Sequence, residues 1–246
     1  MKITDVEAII VRQPEITLIG DGTQDTVVIL VHTDEGITGI AEVDSAPYVV
    51  KAIIDMPASH SACRGLKEII VGEDPFDVEK IWNKMYEFAY YHGRAAAVIH
   101  AMSGIDNAIW DIMGKAVGKP VHKLLGGSYQ KEIPAYISIL MPSTPDEVKK
   151  LVDYHMKENY LGIKFGWGDL GQSFENDVKL VKAAKNIPCA VGFGISTPQQ
   201  AGEMAAKSDG AIVGSAIVKL CEKYGADCVP HVKEYVTAMK EGVLRG

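Results

Sequence analysis

Apolar positions follow one rhythm over the first 45 residues, a second to about residue 120, and a third beyond it. Residues 2–12 roughly alternate, with Ile3, Val6, Ala8 and Ile10 as the apolar members. Thr26 to His32 (TVVILVH) is β-branched and apolar, Asp34-Glu35-Gly36 is a turn signal, and Ile37 to Val43 reads as the next strand. These predict a small antiparallel sheet, with PEITLIGDGTQD as a polar loop between its first two strands. A helix is then predicted from Pro75, because Val78, Ile81, Trp82, Met85 and Ala89 recur on one face. Residues 95–117 predict a longer helix, apolar on most sides and so expected between other elements. Gly118-Lys119-Pro120 stops it.

From about residue 132 strands and helices alternate. Strands are predicted at Ile133–Leu140, Leu161–Phe165, Ile187–Val191 and Gly210–Val213. Helices follow at Thr144-Pro145-Asp146-Glu147, at Phe174–Lys185, at Ser196-Thr197-Pro198-Gln199 and from Ala216 to about Glu241. A capping threonine, a first-turn proline and a glutamate three residues on mark the first of these. Four βα units in a row predict a parallel sheet with right-handed crossovers. A closed eight-unit barrel needs about 250 residues, so residues 132–246 supply roughly half of one. The fold class is α/β: an α+β domain over 1–131, then a partial TIM-type barrel of four βα units over 132–246.

Composition adds exclusions. The net charge of −7 favours neither nucleic acid nor an anionic membrane. No run reaches the ~18 apolar residues of a membrane span, and the N-terminus MKITDVEAIIVR is unlike a signal peptide. A cytoplasmic location is expected. Cys63, Cys189, Cys221 and Cys228 have no CxxC spacing and read as reduced thiols, not zinc ligands.

Residues 101–126 read AMSGIDNAIWDIMGKAVGKPVHKLLG. This run resembles the signature of the mandelate racemase/muconate lactonizing branch of the enolase superfamily, at Ser103, Gly104, Asp106, Asp111, Gly114, Lys115 and Pro120 among others. KITDVEAIIV and HTDEGITGIAEV resemble that family's capping domain, and the likeness extends to about residue 185. The signature's small residues also serve helix packing, and Asp106 and Asp111 are expected to be structural. The resemblance implies that loops near Ile19–Gln24 and Asp44–Tyr48 close over the barrel mouth and select the substrate. It implies proton abstraction α to a carboxylate, with Mg²⁺ stabilising the enediolate. Lys164, in Ile163-Lys164-Phe165-Gly166-Trp167-Gly168, fits the first lysine of the family's Lys-x-Lys strand and is the candidate catalytic residue. Gly166 stands where the second lysine, usually the base, is expected. The family's metal carboxylates follow on the next three strands, but here Ile187 to Gln200 and GAIVGS hold no acid at the right end. No cofactor is therefore expected from these residues.

From about residue 187 the chain resembles the seventh and eighth barrel units of a tryptophan synthase alpha subunit, through Gly192-Phe193-Gly194-Ile195-Ser196 and Gly214-Ser215-Ala216-Ile217-Val218. Each motif follows a short apolar strand and opens a helix, where free N–H groups receive anions. Phe193, Gly194, Gly214 and Ser215 form a candidate phosphate cradle, although two ordinary tight turns would give the same pattern. That subunit's catalytic acids lie on early strands that here resemble the other family.

Three readings stand at this point. One is an acid-sugar dehydratase or racemase of the enolase superfamily, catalytically incomplete as it stands. Another is a non-catalytic chimeric or designed half-barrel with a phosphate cradle. The third is a tryptophan synthase alpha-like lyase. The expected partners are a small-molecule carboxylate or phosphate and, because four parallel strands leave open edges, a second copy of the chain.

Overall fold

A computed structural model describes residues 1–16, 24–158, 160–168, 173–183, 188, 190–192 and 194–245. The chain divides into two compact units, Met1–Glu132 and Ile133–Gly246.

The first unit runs β1 (Ile3–Arg12), β2 (Asp25–Thr33), β3 (Thr38–Val43), α1 (Pro47–Asp55), α2 (Leu66–Ile70), α3 (Val78–Phe88), α4 (Ala97–Val117) and α5 (Val121–Leu124). The strands form one antiparallel sheet in the order β1-β2-β3. Ile3 and Val6 are both buried although three apart, because the β1–β2 register shifts between Ile3 and Asp5. That irregularity re-phases the alternation. Inward residues then follow the period of two: Val6 and Ala8, then Val27, Ile29 and Val31, then Val43.

Helix α4 lies on this face and buries Ala101, Ile105, Ala108 and Ile112. Two glycines let it come close. A Cβ on Gly39 would stand 2.0 Å from the Ala108 carbonyl oxygen, and one on Gly104 would stand 2.3 Å from Val43 Cγ2. Polar groups pin the approach. Asp111 Oδ2 accepts from the Ile40 amide at 2.9 Å and from Lys115 Nζ at 2.7 Å, while Lys115 Nζ also donates to the Thr38 carbonyl at 2.7 Å. The Asp111 carboxylate thus caps a β3 donor, as its expected structural role requires. Gly118, at φ +64°, ends the helix in the left-handed region.

Helix α3 starts three residues after Pro75, with Asp77 at its N-cap, and buries the expected Ile81 and Met85. Ala89 falls in a short 3₁₀ turn. Helix α1 is too short for its buried Pro47, Val50 and Ile54 to stand out as a period.

The second unit runs β4 (Tyr136–Leu140), α6 (Pro145–His155), β5 (Gly162–Gly166), α7 (Phe174–Ala183), β6 (Ala190–Val191), α8 (Pro198–Ala205), β7 (Gly210–Ala211), α9 (Ser215–Tyr224) and α10 (Cys228–Arg245). Capping boxes open α6 and α8: Thr144 pairs reciprocally with Glu147, and Thr197 with Gln200.

Three expectations need correction here. The four strands do not form one sheet among the described residues; β4 pairs in parallel with β5, and β6 with β7, as two separate ladders. The last two strands have only two residues each, leaving little edge to pair further. Second, β4 begins at Tyr136, since Ile133 is 83% exposed and has no core to face. Third, the final helix is two helices, broken at Gly225 (φ +53°). The packing follows the ladders: Met141, Val148 and Leu180 make one small core, and Ile195, Ala201 and Met239 another.

Gly39→Ala should destabilise the first unit by about 1–3 kcal/mol, since α4 must lift off the sheet to admit a methyl group. Urea unfolding followed by circular dichroism reads this as a lower midpoint with an unchanged slope.

Candidate functional site

Strand β5 presents Lys164 on a defined face. In the parallel register Ser138 pairs with Lys164, and Tyr136 with Gly162. The alternate residue Phe165 packs on the Met141–Val148–Leu180 core beneath α6 and α7. Lys164 and Ser138 therefore point away from the helices, as the inner face of a βα barrel does. Lys164 is exposed, and its ammonium lies 4.4 Å from the centre of the Trp167 ring. That is cation–π distance.

Trp167 is a residue that the sequence reading passed over. It has φ +53°, and Gly168 follows at +58°. A left-handed bulky residue is strained by about 1–3 kcal/mol. The turn is held because the Met141 amide donates to the Gly166 carbonyl at 2.9 Å, and Gly168 packs against the Met141 carbonyl, where a Cβ would stand 3.0 Å from its oxygen. The flanking glycines in Gly166-Trp167-Gly168 were the available signal. Gly166, buried at the end of β5, offers no side chain where a base would stand.

The second candidate group lies on the other ladder. Ala190 pairs with Gly210 and Val191 with Ala211, and the Ile212 amide donates to the Val191 carbonyl at 2.8 Å. Gly194 and Gly214 each lie three residues beyond the C-terminal end of their strand. Gly194 is left-handed at φ +68°. Gly214 is the N-cap of α9, and no side chain caps the helix. Ser215 is the first helical residue, so its hydroxyl is past the capping position. A Cβ at Gly194 or Gly214 would meet nothing within 4 Å, so both turns border open space. Phe193 lies outside the described residues, as do Cys189 and all of Ile19–Gln24 except Gln24.

Asp106 is half-buried; burial, then the charge of Glu79, pushes its carboxyl above the ordinary range, against a bond from Trp110. In the Asp44–Tyr48 segment, Ser45 Oγ lies 2.8 Å from His100 Nδ1 and Tyr48 is 60% exposed. No described helix is long and apolar enough to cross a membrane.

Two family models match the chain, one over each unit. Residues 3–126 match the mandelate racemase/muconate lactonizing enzyme N-terminal domain, and residues 129–243 match the tryptophan synthase alpha chain. The second match begins well before residue 187, where the sequence motifs first pointed to it. An arabinonate dehydratase of Saccharolobus solfataricus is 39% identical over 125 residues, covering 50% of this chain and 33% of that protein. A D-galactonate dehydratase of Xanthomonas oryzae pv. oryzae is 30% identical over 163 residues, covering 65% and 38% respectively. The chain thus spans little more than a third of these curated relatives. Among solved structures, a predicted mandelate racemase from Rhodobacter sphaeroides superposes with a TM-score of 0.72 at 24% identity, over 92% of this chain and 62% of that one. An enolase superfamily member from Agrobacterium tumefaciens gives 0.67 at 21% identity, over 92% and 66%. These two establish the fold.

The relatives correct the expectation of no cofactor, because dehydratases and racemases of the enolase superfamily use Mg²⁺. That ion needs a shell of oxygen ligands. Among the described residues, no three His, Cys, Asp or Glu side chains stand together to hold a metal, so those residues alone do not make its site. With residues 3–126, half of its length, matching that family's N-terminal domain, the chain belongs to the mandelate racemase/muconate lactonizing enzyme family.

Proposed function

We propose that this protein is an acid-sugar-binding member of the enolase superfamily in which Lys164 receives the substrate carboxylate. The observation that carries the reading is the exposed ammonium of Lys164, in the middle of a parallel strand and on its helix-free face. A charged donor there makes a strong bond to a carboxylate. The named dehydratases among the relatives support an aldonic acid as the ligand class. Dehydration of such an acid removes the α-proton and the β-hydroxyl as water, leaving a 3-deoxy-2-keto acid. Mg²⁺ would supply stabilisation of the enediolate when bound. Lys164 would hold and orient the carboxylate, and Trp167 would steer the lysine. The base is not supplied by β5, where Gly166 stands. The chain is thus proposed to bind acid sugars without completing the reaction on its own.

Calorimetric titration with arabinonate and D-galactonate should show binding, and Lys164→Ala should weaken it at least tenfold, about 1.4 kcal/mol. Unchanged affinity in the variant would remove Lys164 from the site. Accumulation of a 3-deoxy-2-keto acid would overturn the incompleteness.

The uncapped N-terminus of α9 favours a second ligand. We propose that backbone N–H groups near Gly194, Gly214 and Ser215 receive a phosphate. The match of residues 129–243 to the tryptophan synthase alpha chain supports this. Inorganic phosphate should raise the melting temperature by a few degrees, and Gly214→Asp should abolish the effect; a mutant that still responds would place the anion elsewhere.

The short ladders and the exposure of Tyr136 at 62% and Ile212 at 59% support a second copy of the chain as a partner. Light scattering coupled to size exclusion should give at least a dimer, and a monodisperse monomer would defeat this proposal.

A further inference from the structure

Helices α9 and α10 meet across the turn at Gly225–Asp227. Cys221 lies near the end of α9, and Cys228 opens α10. Each is followed three residues later by a ring, Tyr224 and His231. Residues three apart share a helix face, so each cysteine stands one turn from its ring. The rings stack with centroids 3.6 Å apart and planes 15° from parallel. That stack brings the facing turns of α9 and α10 together, with one cysteine a turn from each ring. The Gly225 amide donates back to the Cys221 carbonyl and fixes the turn. The contact with Cys228, and then burial, push the Cys221 thiol up. Cys221 is exposed and Cys228 half-buried, so a small oxidant can reach the pair.

We propose that Cys221 and Cys228 are a reversible redox pair that closes to a disulfide when the protein meets a peroxide. One thiol, as its thiolate, attacks the peroxide; the O–O bond breaks, leaving a sulfenic acid, and the departing oxygen takes up a proton as water. The second thiol attacks the sulfenic sulfur, the S–S bond forms, and the hydroxyl leaves as a second water. The two sulfurs give up two electrons, and hydrogen peroxide accepts them. A dithiol reverses the bond by exchange.

The position gives the bond a mechanical effect. Helix α10 is already fastened to the start of α8: Tyr235 Oη donates to the Ser196 carbonyl at 2.8 Å, and Gly242 lies against Pro198, where a Cβ would stand 2.1 Å from the Pro198 oxygen. A bridge to Cys221 fastens α9 to the same brace. The helices that follow Gly194 and Gly214 are then both fixed to α10.

The full-length protein is treated with a molar excess of hydrogen peroxide, alkylated and mapped by peptide mass spectrometry. The expected product is an intramolecular Cys221–Cys228 bridge, with two thiols lost to Ellman's reagent and restored by dithiothreitol. The oxidised protein should melt a few degrees higher than the reduced one, because a crosslink constrains the unfolded chain. Cys221→Ser and Cys228→Ser should each abolish the bridge and the shift. Sulfinic acid on Cys221 without a bridge would overturn the proposal, as would crosslinks found only between chains. Should either variant fail to fold, the map of the wild-type protein decides alone.

Discussion

The first unit depends on one close approach: a helix laid on a sheet at two points where a glycine takes the place of a side chain. Gly39 and Gly104 remove the side chains that would hold α4 away, and the surrounding valines, isoleucines and alanines then fill the layer. Close packing of this kind loses energy quickly when a single carbon is added or removed. Asp111 and Lys115 add direction to an attraction that has none. Their bonds to the backbone of β3 fix the height at which the helix crosses. The signature motif is therefore a packing motif first, and its charged members satisfy a strand that would otherwise end in unpaired groups.

The second unit is held differently. Among the described residues it has two cores of three buried residues each, where the first unit has one continuous core. Burial this sparse contributes little against chain entropy. Local devices make up part of the difference: reciprocal caps on α6 and α8, and α10 as a brace across α8 and α9. One candidate site of this unit lies on a strand, at Lys164, and the other at the turns that follow β6 and β7. The left-handed Trp167 beside Lys164 is a strained arrangement, of the sort that concentrates where geometry is fixed for a ligand.

Much of this was legible in the residues. The three strands of the sheet, the face of α3 and the extent of α4 follow from spacing, since each buries one clear stripe. The capping box at Thr144 could be read letter by letter. Strand pairing in the second unit could not. Alternation identifies a strand, but Ala190–Val191 and Gly210–Ala211 are too short for their pattern to say where a ladder stops. The break at Gly225 was hidden because the flanking residues keep a helical period through the turn. At the sites, Lys164 was marked by its place in a motif, while Trp167 was not, because a positive φ leaves no trace in composition beyond neighbouring glycines. Ser215 was misplaced by one residue, the ordinary margin at a helix end.

The inward-facing signature has a consequence for descent. The residues that identify the first unit, from Gly39 to Lys115, bond and pack within that unit, and the segment that follows is exposed, with Tyr129 fully so. A front half that completes its own core is heritable as a unit: recombination downstream of it leaves its folding instructions intact. The two family matches, ending at residue 126 and beginning at 129, fall on either side of that seam. Lineages could exchange what lies beyond such a seam more freely than anything within it.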